Sequence, residues 1–328
     1  DLPDFRIEIC VNGGAIVGRA DEFEMEAWLI KADLALSDAQ VKGKGSLSFF
    51  RPEMDARYVE EQKLRAALRQ AVEDEALQVV YQPMYTVDGS RIECMEALVR
   101  WKHPEKGMIA PNVFIPMAEE MGIISSITRF VLERASRDCA GWEHPTALSV
   151  NLSAHDLLNP DIFGDILKIL ARTGLPPWRL HVELTESCFI DDPAAVSKVL
   201  HQLREKGVTI AIDDFGTGFS SLSYLTSLPL DIVKVDRAFI RDINHDPRQM
   251  KLLKGIAQLS RDLALRIVIE GVETQEQLQL IKENRFADLI QGYVFAPPVD
   301  AETATRMLRA SGQAVAVKAS RKRLKPVT

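Results

Sequence analysis

Cysteine, histidine and long apolar runs are all scarce, and each scarcity removes a class of protein. The four cysteines, Cys10, Cys94, Cys139 and Cys188, stand far apart with no Cys-x-x-Cys pair. That spacing excludes a zinc knuckle and a disulfide framework and suits a reducing, cytoplasmic setting. Six scattered histidines include no i, i+4 pair, so the ligands of any metal here are oxygens. No run of about eighteen apolar residues occurs, so the sequence predicts no membrane span. No basic stretch followed by an apolar one opens the chain, and no secretory leader is expected. The chain starts Asp1-Leu2-Pro3 without a methionine, which reads as a piece of a longer protein, one that could be membrane-attached or sensor-linked. A strong charge bias is also missing: 40 Lys+Arg against 47 Asp+Glu give a net charge of −7, with no footprint for a nucleic-acid polymer. The exception is Lys318–Lys325, five positive charges in eight residues, which reads as a solvated tail over 313–328.

What is present is an alternation. From Leu77 onward, β-rich runs alternate with amphipathic segments; the predicted strands are Leu77–Tyr85, Arg91–Trp101, Ala147–Ser153, Leu180–Thr185, Val208–Asp213, Ile232–Val235, Arg266–Glu270 and Ala287–Gln291. Several are continuous apolar runs, as in parallel strands buried on both faces. Helices are expected between them, for example Ala194–Lys206, stopped by Gly207, and Arg248–Asp262. The expectation is an α/β fold, a modified (β/α)8 barrel of the TIM type over residues 77–312. The first two strands are separated only by Val87-Asp-Gly-Ser90, a hairpin link, so the first strand should be antiparallel. Residues 1–52 read as a separate small α/β piece: a strand at Phe5–Val11, a Gly-Gly turn, a helix at Glu24–Val41 and a strand at Ser46–Phe50. A helical linker follows over 53–76, with Leu64, Ala67, Leu68 and Ala71 on one stripe.

The residues that end the predicted barrel strands carry the chemistry. They are Glu96, Asn151, Glu183, the pair Asp213-Asp214, Lys234, Glu270 and Gln291. In barrels of this type, functional groups gather at that end. Five carboxylates converging on one mouth would repel one another unless cations neutralise them. All-oxygen donors with an amide carbonyl favour Mg²⁺ or Mn²⁺ over Zn²⁺. A pair of such ions is the usual arrangement for displacement at phosphorus, so the spacing points to phosphoester hydrolysis. Singly, each residue admits a plainer role: a strand-end Glu as a cap or ion pair, Lys234 as a surface ion pair, Asn151 as a turn cap. Gly216 and Gly218 after the double Asp read either as an ordinary turn or as a movable loop coupling the site to a neighbour.

The motifs resemble those of EAL-domain phosphodiesterases acting on cyclic di-GMP. Glu96-Ala-Leu98 followed by Val-Arg-Trp101 carries the signature. It is accompanied by Tyr81-Gln-Pro83, Val150-Asn-Leu-Ser153, Glu183-Leu-Thr-Glu186, Asp213-Asp-Phe-Gly-Thr-Gly218, Glu270-Gly-Val-Glu-Thr274 and Gln291-Gly-Tyr293. The resemblance implies a two-metal barrel that cuts cyclic di-GMP to linear pGpG, working as a homodimer through the barrel. It implies Glu96, Asn151, Glu183 and Asp213 as ligands of one ion, and Asp213, Asp214 and, directly or through water, Glu270 for the second. Glu96, Lys234 and Glu270 would be the catalytic set, with Lys234 orienting the attacking water. Gln82, Leu98, Arg100, Asp236 and Gln291 would contact substrate, and Glu273 would be a supporting carboxylate. Glu186 with Phe215, Gly216, Thr217 and Gly218 resembles the family's dimer-coupled switch. Cys94 and Ile269 stand where the family more often has Gly and Ala, and no expected ligand is missing. The first fifty residues resemble the C-terminal half of a GGDEF, diguanylate cyclase-like, domain, through Ala32-Asp-Leu-Ala-Leu36 and Lys42-Gly-Lys-Gly45; the cyclase's own signature loop is absent. The alternative to an enzyme is a non-catalytic receptor for cyclic di-GMP, and a scaffold regulated by GTP at the N-terminal piece is the weakest reading.

Overall fold

The computed structural model describes residues 9–19, 21, 24–189, 192–216 and 228–311. It divides into two compact units, Asp1–Gln70 and Ala71–Thr328. The first holds β1 (Gly13–Ala15), α1 (Met25–Lys42) and β2 (Leu47–Phe49), with β1 and β2 parallel and Gly14 opposite Ser48. Of the strand expected at Phe5–Val11, residues 5–8 lie outside those described and Ile9–Val11 are not strand, while the Gly-Gly pair read as a turn is in β1. Packing explains the glycine in β1: a Cβ on Gly14 would sit 2.1 Å from the Ala32 carbonyl oxygen, and only glycine lets β1 lie on α1. The buried Asp38 ties α1 to β2: Lys42 Nζ lies 2.6 Å from its carboxylate and Ser48 Oγ donates to it at 2.8 Å. Those two bonds, the Lys42 one first, hold the Asp38 carboxyl down to about 2. The boundary between the units falls inside α2 (Pro52–Glu73).

The second unit is a closed barrel of eight strands: β3 (Gln78–Thr86), β4 (Ile92–His103), β6 (Ala147–Asn151), β7 (Leu180–Thr185), β8 (Thr209–Phe215), β9 (Ile232–Val235), β10 (Arg266–Ile269) and β11 (Leu289–Gln291). From β4 through β11 the neighbours are parallel; β3 runs antiparallel to both β4 and β11 and closes the ring. The β3–β4 hairpin turns on Asp88, whose Oδ1 accepts from Ser90 N at 3.0 Å and from Thr86 Oγ1 at 2.7 Å. A short β5 (Gly107–Ile109), which the sequence reading did not separate, folds back on the end of β4 with Trp101 opposite Ile109.

Helices α3 (Pro111–Glu120), α4 (Ile124–Ala140), α5 (Ala154–Leu158), α6 (Ile162–Thr173), α7 (Pro193–Glu205), α8 (Pro247–Asp262) and α9 (Gln275–Asn284) connect the strands. Their starts follow local chemistry. Asp192 and Asp246 cap α7 and α8 through Ala195 N at 3.0 Å and Arg248 N at 2.8 Å, each with proline at the first helical position. The strand ends are likewise tied, since Asp231 Oδ2 and Asp288 Oδ2 accept from Ile210 N and Ile267 N at 3.0 and 2.8 Å. Among the described residues no helix is long and apolar enough to cross a membrane.

Side chains alternate along a strand, so residues two apart share a face. The barrel's interior floor is the buried apolar cluster Met84, Cys94, Ala211, Ile232, Val268 and Leu289, with Ala147 against it. One step of two along each of these strands leads to Gln82, Glu96, Asp213, Lys234, Glu270 and Gln291. The apolar layer thus excludes water beneath a polar layer at the C-terminal mouth.

Candidate metal centre at the barrel mouth

Lys234 stands at the middle of the polar layer, 1% exposed. Its Nζ lies 2.6 Å from Glu183 Oε2, 2.7 Å from Glu270 Oε1, 3.2 Å from Asp213 Oδ1 and 3.7 Å from Glu96 Oε2. Four strands therefore aim carboxylates at one ammonium. Burial alone would push the Lys234 pKa down, but Asp213, Glu183, Glu270 and Glu96 together raise it well above the ordinary lysine value.

The carboxylates divide by their surroundings. Burial and the neighbouring Glu96 charge push Glu183 well above the usual carboxylate range, against the pull of Lys234. Glu270 rises to about 8, chiefly by burial and the charges of Asp213 and Glu96. Asp214 is raised by burial, Asp213 and Asp236. Glu96 is buried too, yet Lys234 and the amide donors around it leave its carboxyl lowered. Asn151 Nδ2 donates to Glu96 Oε1 at 2.8 Å and Gln291 Nε2 to Glu96 Oε2 at 2.6 Å. Gln291 Nε2 also reaches Gln82 Oε1 at 3.2 Å, while the buried Gln291 Oε1 has no hydrogen-bond partner among the described residues.

Among the described residues, two groups of ligand oxygens converge closely enough to hold a cation: Glu96, Glu183 and Asp213, and Asp213, Asp214 and Glu270, each within 4.8 Å of one another. Asp213 belongs to both. Consecutive residues of a regular strand face opposite sides, so the double Asp needs a device to serve one cluster. The β8–β9 register slips between Ile212 and Phe215, and Asp214 takes a left-handed backbone with φ of 53°. That bulge brings both carboxylates to the mouth.

Ser149 is a residue that sequence reasoning missed. Its Oγ donates to Glu183 Oε1 at 2.5 Å and orients that carboxylate from the neighbouring strand. The signal was available, since Ser149 lies two residues before Asn151 and shares its face. Asn151 itself caps no helix; Ser153 caps α5, in a reciprocal pair with Asp156.

The other singled-out residues fall around this centre or away from it. Leu98, Arg100, Asn151 and Asp214 line a cavity of about 630 Å³ that runs beside the mouth against α3 and α4, with Ile115 and Ile127 among its apolar walls. Arg100 is half-buried; desolvation lowers its pKa, and its Nη1 donates to the Val99 carbonyl at 2.9 Å. Asp236 follows β9 and accepts from Ala238 N at 2.8 Å, capping the short 3-10 turn Arg237–Phe239. Glu186 opens a 3-10 turn after β7 and accepts from Gly216 N at 2.9 Å, while Phe215 is buried at the end of β8. Thr217 and Gly218, like the tail 313–328, lie outside the described residues. Glu273 is exposed on the loop after β10 and is not gathered into either oxygen group; its backbone N–H donates to Gln277 Oε1 at 2.9 Å.

Comparison with known proteins adds an independent finding. The chain is 42% identical over 280 residues to an uncharacterized signaling protein of Caulobacter vibrioides, covering 85% of this chain and 34% of that one. It is 38% identical over 295 residues to the cyclic di-GMP phosphodiesterase NbdA of Pseudomonas aeruginosa, covering 88% of this chain and 37% of that one. The solved structure of the PaMucR phosphodiesterase in complex with c-di-GMP superposes with a TM-score of 0.70 at 38% identity, over 74% of this chain and 99% of that chain. The chain spans only about a third to two-fifths of the length of the first curated relatives it matches. Residues 65–298, which carry the whole barrel mouth, match the family model of the EAL domain, and the chain belongs to that family.

Proposed function

We propose that this chain is a metal-dependent phosphodiesterase that opens one phosphodiester bond of cyclic di-GMP to give linear pGpG in bacterial second-messenger signalling. The observation that carries the reading is the pair of oxygen clusters sharing Asp213 around a buried lysine. The names of NbdA and of the PaMucR complex support the substrate.

In this reading Glu96, Asn151, Glu183 and Asp213 hold one Mg²⁺ or Mn²⁺, and Asp213, Asp214 and Glu270 serve a second, Glu270 directly or through water. The donors suit hard cations, being oxygens throughout. Burial first, and then repulsion from neighbouring carboxylates, raises Glu183 and Glu270, and such charges relieve that repulsion. When bound, the ions supply an activated water and neutralise charge developing on the phosphate oxygens. The protein's own groups do the rest. Lys234 orients the attacking water by donating from Nζ at the meeting point of the carboxylates, acting with Glu96 and Glu270. Arg100 offers a planar fork to a phosphate oxygen. Leu98 supplies apolar cavity wall beside it, Gln82 and Gln291 contact substrate through their amides, and the unpartnered Gln291 Oε1 is an acceptor available to a ligand N–H. Asp236 supports Lys234 or the guanine side.

The Glu186–Gly216 bond, with Phe215, Thr217 and Gly218, forms a switch coupled to a homodimer through the barrel. Residues 1–52 are the C-terminal part of a GGDEF-like domain and 53–76 its helical connector to the barrel at 77–312, and Glu273 is a supporting carboxylate.

Purified chain with Mg²⁺ or Mn²⁺ should convert cyclic di-GMP to pGpG, resolved by chromatography, and Glu96→Ala should abolish the conversion. Tight binding of cyclic di-GMP without turnover would replace the enzyme by a receptor.

A further inference from the structure

The short turn after β9 touches the chain that follows each neighbouring strand, at Gly216 after β8 and at Gly271 after β10. Gly216 follows Asp213-Asp214-Phe215 with φ of 93°, and a Cβ there would meet the Phe239 ring, 2.6 Å from Cζ and 2.9 Å from Cε2. Gly271 follows Glu270 with φ of 62°, and a Cβ there would lie 2.2 Å from Arg237 Cβ and 3.2 Å from Arg237 Cα. The turn Arg237–Phe239 thus fills the space that side chains at 216 and 271 would need. Left-handed backbone at both sites favours glycine independently.

The turn is itself held from both ends. Asp236 Oδ1 accepts from Ala238 N at 2.8 Å. Beyond it, Ile240 is fully buried and its carbonyl accepts from Gln277 Nε2 at 3.1 Å. Gln277 is 7% exposed, and its Oε1 accepts from Glu273 N and Thr274 N at 2.9 and 3.1 Å. One amide side chain therefore joins the turn after β9 to the loop after β10. Glu270 N donates to the Val235 carbonyl at 3.0 Å, so the two strand ends are joined directly as well.

We infer that the turn Arg237–Phe239 is a steric wedge that sets the spacing between Asp213-Asp214 and Glu270, and that Phe239 is a positioning residue for the second oxygen cluster. The inference rests on the reading that this cluster holds a cation. Groups that hold a metal-ligating side chain in place without touching the metal are worth roughly 10–100-fold in metal affinity. Phe239 does this through backbone: its ring abuts Gly216, one residue beyond the bulged strand end that presents both aspartates.

The test is a double-mutant cycle on the full chain with Gly216→Ala, Phe239→Ala and the double variant, plus Phe239→Leu. Mn²⁺ uptake is read by calorimetry, and kcat and KM for cyclic di-GMP by hydrolysis. Phe239→Ala should weaken Mn²⁺ uptake roughly tenfold and lower kcat with KM little changed, and Phe239→Leu should fall between it and wild type. Gly216→Ala should weaken uptake too, and adding Phe239→Ala should recover part of that loss, because the new methyl then has room. Losses that simply add in the double variant would overturn the wedge, as would Phe239→Ala with wild-type Mn²⁺ uptake and kcat. Wild-type protein that takes up no Mn²⁺ would overturn the cation reading itself, and does so before any substitution is made.

Discussion

Replacing Lys234 with methionine keeps most of the side chain's length and removes its charge. In the wild type, Nζ sits within 3.7 Å of oxygens from Glu96, Glu183, Asp213 and Glu270 at a site 1% exposed. Losing the cation leaves buried carboxylates facing one another without compensation. Removing one partner of a buried pair costs about 3–5 kcal/mol. For a domain of this size that corresponds to a fall in melting temperature of about 6–20 °C. The assay is thermal unfolding in EDTA and then in saturating Mg²⁺ or Mn²⁺. The variant should melt well below wild type in EDTA, and the gap should narrow with the divalent ion, whose charge replaces the lost one. Equal melting in EDTA would refute the electrostatic reasoning, because the carboxylates would then not depend on Lys234 for neutralisation. A gap that persists unchanged in the divalent ion would place the cation elsewhere.

Three further outcomes follow from the same geometry. Ser149→Ala removes a 2.5 Å bond to the Glu183 carboxylate and should cost about 1.5–3 kcal/mol in urea unfolding, with weaker divalent-cation uptake by calorimetry. His181 is held at about 4, first by burial and then by Arg266. Its depressed pKa means the unfolded chain takes the proton first, near 6.5, so stability is full above that pH and is lost as pH falls toward 4. The loss by pH 4.5 is about 2–3 kcal/mol, and the stability difference between pH 7 and 4.5 should shrink by that amount in His181→Gln. Cys94, Cys139 and Cys188 are buried with thiols pushed up by desolvation, whereas Cys10 is exposed. Native protein should therefore show one fast thiol toward a disulfide reagent and three released only on unfolding.

The barrel strands were readable because burial on both faces writes continuous apolar runs, as in Ile210-Ala-Ile212 and Ile267-Val-Ile269. The polar layer was readable for a related reason: on an apolar strand, a charged residue two beyond a floor residue has few places to go but the mouth. Composition carries nothing about register slips, so the β8 bulge that turns both Asp213 and Asp214 toward one cluster had to be seen. Ser149 is harder to read because it lies inside its strand rather than at the end, although its parity matches Asn151. Two adjacent glycines, Gly13 and Gly14, suggest a turn in sequence; in the structure they belong to β1, and Gly14 serves close packing on α1. Glu273 resembles a supporting carboxylate by its motif; it stands exposed on the loop after β10, where Gln277 makes the buried contacts.

Diffraction from crystals grown with Mn²⁺, recorded at the manganese absorption edge, tests the central claim most directly. Two anomalous peaks at the barrel mouth are predicted, one bounded by Glu96, Asn151, Glu183 and Asp213 and one by Asp213, Asp214 and Glu270, with Asp213 between them. A mouth without anomalous signal at saturating Mn²⁺, its carboxylates still gathered on Lys234, would contradict it.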